Sequence, residues 1–327
     1  MGSIGESFSA LLTPQTADRI GTTTGVSPNL VVKGLGIIGP LVAGLAAKSA
    51  SSPGGLRSLL SLVPPGFDIT SPGAIGDAIK STKDARVSNN LVTGVFGAGQ
   101  GSINRSLTRT LGFDASNLLR IGALMMLSTI AKRMKEARLD DAAAAKLLQD
   151  EHRAFIARGD DVSRSVNEAL RAGDEATALR QRYTPHEWAS ARLAPIAAAQ
   201  VVMMASPSGL IGVTSELSGA TEEIQRARGA AVPASLVGVL FDGEISREEV
   251  QALSDKQVAL SIVREGVAAV KANTPGEAKA YGNLLVDVAV RTAEAAKEGG
   301  FLGYGGRRVS REEQEAIDTI KSAAEIR

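Results

Sequence analysis

The chain has 327 residues, a formal net charge of +1 and no cysteine. This length suffices for two domains with separate cores, and the lack of cysteine excludes disulfides, thiolate metal sites and a cysteine nucleophile while fitting a reducing, cytoplasmic location. Aromatic residues make up only 3% of the chain, too few for a surface that stacks bases, and the small net charge gives no long-range attraction to nucleic acid, so we predict no nucleic-acid partner.

Helix starts recur along the whole chain. Seven of the twelve prolines follow Ser or Thr, and Ser or Thr at the N-cap with Pro at the first helical position is a common helix start. No stretch alternates apolar and polar residues as a half-buried strand does. The sequence therefore predicts an all-α fold.

The N-terminal part contains an internal similarity. Residues 24–31, around Gly25 and Ser27, have a counterpart 87 residues later at 111–118, around Gly112 and Ser116. Apolar residues follow each copy at helical spacing, so each predicts a helix start. Duplicated helical units usually stack to bury faces that neither buries alone.

The middle of the chain changes composition twice. Residues 49–103 are rich in Ser, Gly and Pro, and predict only a short helix over 56–63. Residues 132–182 are rich in Ala, Arg, Asp and Glu, and indicate one or two solvent-facing helices broken near Gly159. We therefore predict a helical domain at 1–148, a charged helical linker at 149–183 and a second helical domain at 184–327.

The C-terminal part predicts longer helices, at 185–205, 214–229, 232–241, 246–272, 275–297 and 310–325. Four capping boxes are expected, in which a Ser or Thr is followed three residues later by Glu: Thr184 with Glu187, Ser246 with Glu249, Thr274 with Glu277, and Ser310 with Glu313. The second and fourth begin another internal similarity, 246–253 and 310–317, which lie 64 residues apart.

Two uncharged stretches raise the question of a membrane. Residues 34–47 are too short to cross a bilayer, which takes about 20 residues. Residues 193–215 are long enough but contain Pro195, Gln200, Pro207 and Gly209. We expect both to be buried helices and predict no integral membrane segment, with peripheral membrane contact through 193–215 left open.

The N-terminal region resembles a YidB-like bacterial family of unknown function, over roughly residues 8–148. The motifs that carry the resemblance occur in order: Leu12-Thr13-Pro14, Gly25-Val26-Ser27-Pro28, the run from Gly39-Pro40 to Leu45, Ser52-Pro53-Gly54-Gly55 and Val95-Phe96-Gly97. The sequence departs from the family pattern at 126–128, where the proline expected to correspond to Pro40 is missing. The resemblance implies an all-helical domain and no established chemistry.

The C-terminal region, 184–327, more weakly resembles the tellurite-resistance TerB-like helical domains. The resemblance rests on the acidic turn Asp242-Gly243-Glu244-Ile245 with Glu249, which opens a helix. It implies a metal site at Asp242, Glu244 and Glu249. The corresponding turn near 206–209 has lost its acidic residues, and a simple capped helix start, whose dipole the glutamates favour, explains the same pattern.

Two glycine-rich stretches are further candidates. Gly34, Gly36 and Gly39 spell G-x-G-x-x-G, but they lie inside a predicted helix with no preceding strand, so a nucleotide site is disfavoured. We expect Gly34, Gly36 and Gly44 to allow close helix packing, either within the domain or between chains. The loop 299–306 with Gly303, Gly305, Arg307 and Arg308 is either an anion-binding loop or a connector.

Nothing in the sequence brings catalytic groups together. The two histidines, His152 and His186, lie far apart in the sequence and each adjoins a single glutamate. We therefore predict a non-enzymatic protein without a cofactor, which acts through protein–protein contacts with a partner or with itself as a scaffold. The alternative function is a stress-associated ion-binding or envelope-proximal protein.

Overall fold

A computed structural model describes residues 3–64, 67, 85–205, 213–242, 245–298 and 309–325. These residues form helices and loops without a strand, which confirms the all-α prediction. The chain divides into two compact units, Met1–Thr177 and Ala178–Arg327. Each has a hydrophobic core of its own.

The first unit is built around two long helices. Its elements are α1 Ile4–Ser9, α2 Pro14–Thr24, α3 Pro28–Ser49, α4 Gly55–Leu60, α5 Ala85–Phe96, a 3₁₀ turn Gly97–Gly99, α6 Gln100–Leu111, α7 Ser116–Ala137, α8 Asp141–Ala157 and α9 Asp161–Arg180, which ends in the second unit. Helix α3 packs against α7 and α8 at the centre of the core. Helices α5 and α6 were not predicted, because their Ser, Asn and Gly residues conceal an apolar stripe.

The two similar N-terminal segments have the same local structure. Gly25 and Gly112 both lie in the left-handed region, with φ of 74° and 82°. The N–H of each bonds the carbonyl four residues earlier, at 2.9 Å and 2.8 Å respectively, which closes one helix before the next begins. The helices that follow, α3 and α7, are each 22 residues long and pack on each other.

Helices α8 and α9 belong to the first unit up to Thr177. Solvent-facing helices were predicted over 132–182, with 149–183 as a linker, but four residues of α8 and α9 are buried in the core of that unit: Ala144, Leu148, Val166 and Ala169. The break between them is where the sequence places it, at Gly159 with φ of 63°. Small apolar residues among many charges therefore form a buried face that the overall composition conceals.

The second unit is alanine-rich. Its elements are α10 Pro185–Met203, α11 Val213–Ala230, α12 Leu236–Leu240, α13 Arg247–Gln251, α14 Lys256–Asn273, a 3₁₀ turn Pro275–Glu277, α15 Ala278–Glu298 and α16 Arg311–Ala324. The most extensive packing joins α10 to α14 and α11 to α15. At Gly266 a methyl group would lie 2.9 Å from the Cβ of Ala194, so the α10–α14 contact requires small residues.

Three of the four capping boxes are confirmed, at Thr184, Ser246 and Ser310. The fourth prediction is wrong. The hydroxyl of Thr274 donates to the carbonyl of Val270 at 3.3 Å, and the Glu277 carboxylate instead accepts the N–H of Leu236 at 2.7 Å. The Thr274 hydroxyl thus bonds the end of its own preceding helix, and the Glu277 carboxylate makes a tertiary contact instead of closing the box.

The helix predicted over 246–272 is two helices. The carboxylate of Asp255 accepts the N–H groups of Gln257 and Val258, at 2.8 Å and 3.0 Å. It therefore acts as an N-cap and starts α14 anew. Residues 252–255 form the break between α13 and α14.

Among the described residues, one helix is long and apolar enough to cross a membrane. It is α3, and 61% of its most apolar stretch is buried inside the first unit. The other uncharged stretch, 193–215, forms the buried end of α10 up to Met203. Its residues 206–212 lie outside the described part of the chain.

Candidate interaction surface

Helix α3 has a buried face and an open one. Ser27 and Pro28 begin the helix, and its apolar residues spread over most of its circumference. Leu35, Ile38 and Leu41 are fully buried on the core side. Opposite them lie Val32, Gly36 and Pro40, which we name the α3 ridge. Val32 is 40% exposed, and a methyl group on Gly36 would meet no atom within 4 Å.

Pro40 gives the ridge a hydrogen-bond acceptor. Proline has no N–H, so the carbonyl four residues earlier, on Gly36, lacks its usual partner within the helix. Because Gly36 has no side chain, another backbone can also approach the helix closely at this position. The α3 ridge thus combines an apolar side chain, open space and a backbone carbonyl outside the helical hydrogen-bond ladder.

The three predicted packing glycines have different surroundings. At Gly34 a methyl group would lie 2.8 Å from the Cδ1 of Leu118, and at Gly44 one would lie 2.7 Å from the Cε1 of His152. Both glycines are therefore contacts within the first unit. Burial against this part of the core lowers the pKa of His152. Of the three, only Gly36 faces open space.

A groove opens near the end of α3. It has a volume of about 370 Å³, within the range of small-ligand sites. Its apolar lining includes Leu45, Phe96 and Leu170. Lys48 and Asp174 form an ion pair at the rim, with 63% and 58% of their side chains exposed, so the pair contributes little to stability. Lys48 and Asp174 are the charged residues of the lining, and they are paired with each other.

The predicted metal ligands already have cationic partners. Asp242 accepts from Arg228 at 3.1 Å. Glu249 pairs with Arg192 and accepts the N–H of Ser246 at 2.7 Å, a backbone hydrogen bond that lowers the pKa of its carboxyl. Glu244 lies outside the described residues, and within the described ranges no three His, Asp or Glu side chains converge as a metal site would require.

The predicted anion loop cannot be placed. Gly303, Gly305, Arg307 and Arg308 all lie in the stretch 299–308, outside the described residues. The proposal of an anion site there stays a prediction from the sequence.

One cluster has the residue types of a hydrolase triad but not its connections. The Ser190 hydroxyl donates to the Glu265 carboxylate at 3.0 Å, and the His186 Nε2 lies 3.3 Å from the same carboxylate. In a triad the serine would instead bond the histidine, which takes its proton. His186 and Ser190 lie on α10 and Glu265 lies on α14, so the cluster joins these two helices. Sequence reasoning missed it, although 186 and 190 are one turn apart on one helix face.

A second cluster joins α11 and α15. Glu223 is 8% exposed and is held by Arg226, whose Nε lies 2.8 Å from Oε2 of the carboxylate. Burial and the negative charge of Glu223 raise the pKa of Asp287. The Arg226 guanidinium acts in the opposite direction on Asp287, so the three side chains are electrostatically coupled.

Comparison with known proteins bears on the first unit. Residues 6–133 match the family described as "Bacterial protein of unknown function (DUF937)". The match is consistent with the YidB-like resemblance of the N-terminal region and includes the α3 ridge. It ends within α7, so α8 and α9 lie outside it. No curated protein and no solved structure matches the chain.

Proposed function

We propose that this is a non-enzymatic helical protein that acts through protein–protein contacts and self-assembles as a scaffold. The observation that carries the proposal is the α3 ridge. An apolar helix with an exposed Val32, open space at Gly36 and a Gly36 carbonyl that lacks its helical N–H partner offers another helix both close approach and a hydrogen bond. The occupant we propose is the same ridge of a second copy, since closed symmetric contacts between identical surfaces are the commonest form of assembly.

The surroundings of the reactive side chains support a non-enzymatic role. Asp242 and Glu249 pair with arginines, the serine of the triad-like cluster bonds a carboxylate rather than a histidine, and His152 packs against Gly44. Each described group that the sequence or the cluster composition suggested for chemistry thus has a structural partner.

Gly36→Ala tests the proposal. In the single chain the new methyl group enters open space, and replacing a helical glycine stabilises the fold by about 0.5–1 kcal/mol. At an assembled ridge the same methyl group blocks close approach and weakens association. We expect a higher melting temperature together with a lower mass by light scattering behind a sizing column.

Gly229→Ala is the matched control. Gly229 also lies in a helix, α11, and a methyl group there would meet nothing within 4 Å. It gives the gain in helix propensity without touching the α3 ridge, so the mass in solution should stay that of the unaltered protein. A wild-type chain that is monomeric at every concentration, or a mass that Gly36→Ala leaves unchanged, contradicts the proposal.

The ion-binding alternative rests on the TerB-like resemblance of 184–327. It requires Asp242 and Glu249 to leave their arginine partners for a cation. A ligand that binds the native state raises its stability. A titration with calcium or zinc, followed by thermal melting, therefore tests it. An unchanged melting temperature at millimolar metal would eliminate it.

A further inference from the structure

The connection between α7 and α8 is short and unfavourable for its sequence. Helix α7 ends at Ala137 and α8 begins at Asp141. Arg138 between them has φ of 49° and ψ of 43°, a left-handed conformation in which the Cβ of an L-residue is crowded. Helices α2 and α6 end in the same conformation on glycine, at Gly25 and Gly112. Of these three helix ends, only that of α7 has a residue with a side chain in the left-handed conformation. We name Arg138 the hinge.

The part of the first unit beyond this hinge is docked by non-covalent contacts. We name residues 141–177 the two-helix segment. Its buried Leu148 and Val166 belong to the same core as α3 and α7. Gly173 approaches the backbone at Gly99 so closely that a methyl group on Gly99 would lie 2.7 Å from the Gly173 Cα. The segment and residues 3–137 are thus complementary surfaces.

Polar contacts at the edges fix the position of the segment. The Arg57 guanidinium bonds the Asp141 carboxylate at 2.9 Å, and the Glu151 carboxylate accepts the N–H of Ile4, also at 2.9 Å. The Gln149 amide donates to the Ser51 hydroxyl at 3.3 Å. A second copy presents identical partners, so the segment of one chain can dock in the same way on another.

We propose that two copies exchange their two-helix segments and form a domain-swapped dimer. In the dimer α7 continues through Arg138 into α8 as one helix, which residues 137–140 permit because they include no Gly or Pro. The docking contacts are the same in both forms, so relief of the left-handed hinge favours the dimer, and a short strained hinge is a known route to swapping. This exchange rests on the proposed self-assembly but does not use the α3 ridge.

Cross-linking between separately marked chains tests the exchange directly. The natural chain has no cysteine, so single cysteines report one contact each. Ser51→Cys and Gln149→Cys are made in two full-length chains of different mass, which are unfolded, mixed and refolded together at high concentration. A short bismaleimide should then join them across the two chains. The Ser51→Cys, Gln149→Cys double variant, which has both cysteines in one chain, is the positive control.

A second pair controls for contact that is not exchange. Asn104 and Asp114 lie 3.1 Å apart by their side chains, and both precede the hinge, so they stay within one chain in either form. Chains carrying Asn104→Cys and Asp114→Cys separately should not cross-link to each other. Equal cross-linking of both pairs would overturn the proposal.

Arg138→Gly tests the cause of the exchange. Glycine removes the crowding at the hinge of each of the two monomers that form a dimer, which corresponds to roughly fivefold or more per hinge. Because two monomers form each dimer, we expect the dimer dissociation constant to rise about 25-fold or more. Glu325→Gly, which relieves a similar φ of 53° at the end of α16, should leave it unchanged. A dimer that Arg138→Gly does not weaken would overturn the strain argument.

The outcomes separate this inference from the proposed function. A dimer whose Ser51→Cys and Gln149→Cys chains do not cross-link, while the double variant does, overturns the exchange and leaves self-assembly by another surface standing. A chain that is monomeric at every concentration overturns both.

Discussion

Helices α3 and α10 both contain a proline near the middle, and the two units treat the consequence differently. Pro195 deprives the carbonyl of Ala191 of its partner in α10, as Pro40 does for Gly36 in α3. In the second unit the hydroxyl of the fully buried Tyr281 donates to the Ala191 carbonyl at 2.7 Å. In the first unit the Gly36 carbonyl lies on the α3 ridge. In one unit a buried side chain therefore replaces the N–H that proline removes, whereas in the other the affected carbonyl belongs to the α3 ridge.

Tyr281→Phe should give the largest effect, because it removes the donor and leaves a buried carbonyl without a partner. We expect a loss of about 1–3 kcal/mol in the free energy of unfolding. Urea unfolding followed by fluorescence measures it, since the single tryptophan, Trp188, lies in the second unit. Adding Pro195→Ala returns an N–H to the helix, so the double variant should recover most of the loss. If it recovers none, the tyrosine acts through packing alone.

Pro40→Ala makes the corresponding change in the first unit, with a smaller effect. The new N–H bonds the Gly36 carbonyl within α3, and a helical hydrogen bond contributes about 0.5–1.5 kcal/mol. We expect a more stable chain that associates less, because the ridge has lost its acceptor. Thermal melting and light scattering measure the two effects. Pro195→Ala alone is the control, and a weakening of association by that variant would count against the ridge.

The helix starts of the second unit show what the sequence could predict. A capping box forms between residues only three positions apart, so the sequence alone is enough to predict it. The boxes at Thr184, Ser246 and Ser310 were correctly predicted for this reason. Thr274 fits the same pattern but bonds Tyr183, which lies 91 residues away along the chain. No local rule could have anticipated that contact.

The candidate site was predictable only in part for a related reason. Gly34, Gly36 and Gly44 are all glycines of α3, and the sequence predicted close packing at each of them. Which of them is covered depends on where α7 and α8 lie, as the contacts of Gly34 with Leu118 and of Gly44 with His152 show. The hinge at Arg138 was missed because its left-handed conformation is usual for glycine and rare for arginine.

The smallest effect expected concerns the charge of His152 in the first unit. Burial lowers its pKa from the ordinary 6.5, so the unfolded chain binds a proton more readily than the folded one. The stability that the neutral ring contributes is therefore fully present above pH 6.5 and is lost as the pH falls below it, by at most about 1.4 kcal/mol for each unit of the shift. Helix content followed by circular dichroism should melt at a lower temperature at pH 5.5 than at pH 7.5, and His152→Gln should reduce that difference. Since His152 lies in the two-helix segment against Gly44, faster amide exchange over residues 141–177 at pH 5.5 would locate the loss there, whereas an identical pH dependence in His152→Gln would assign it to other groups.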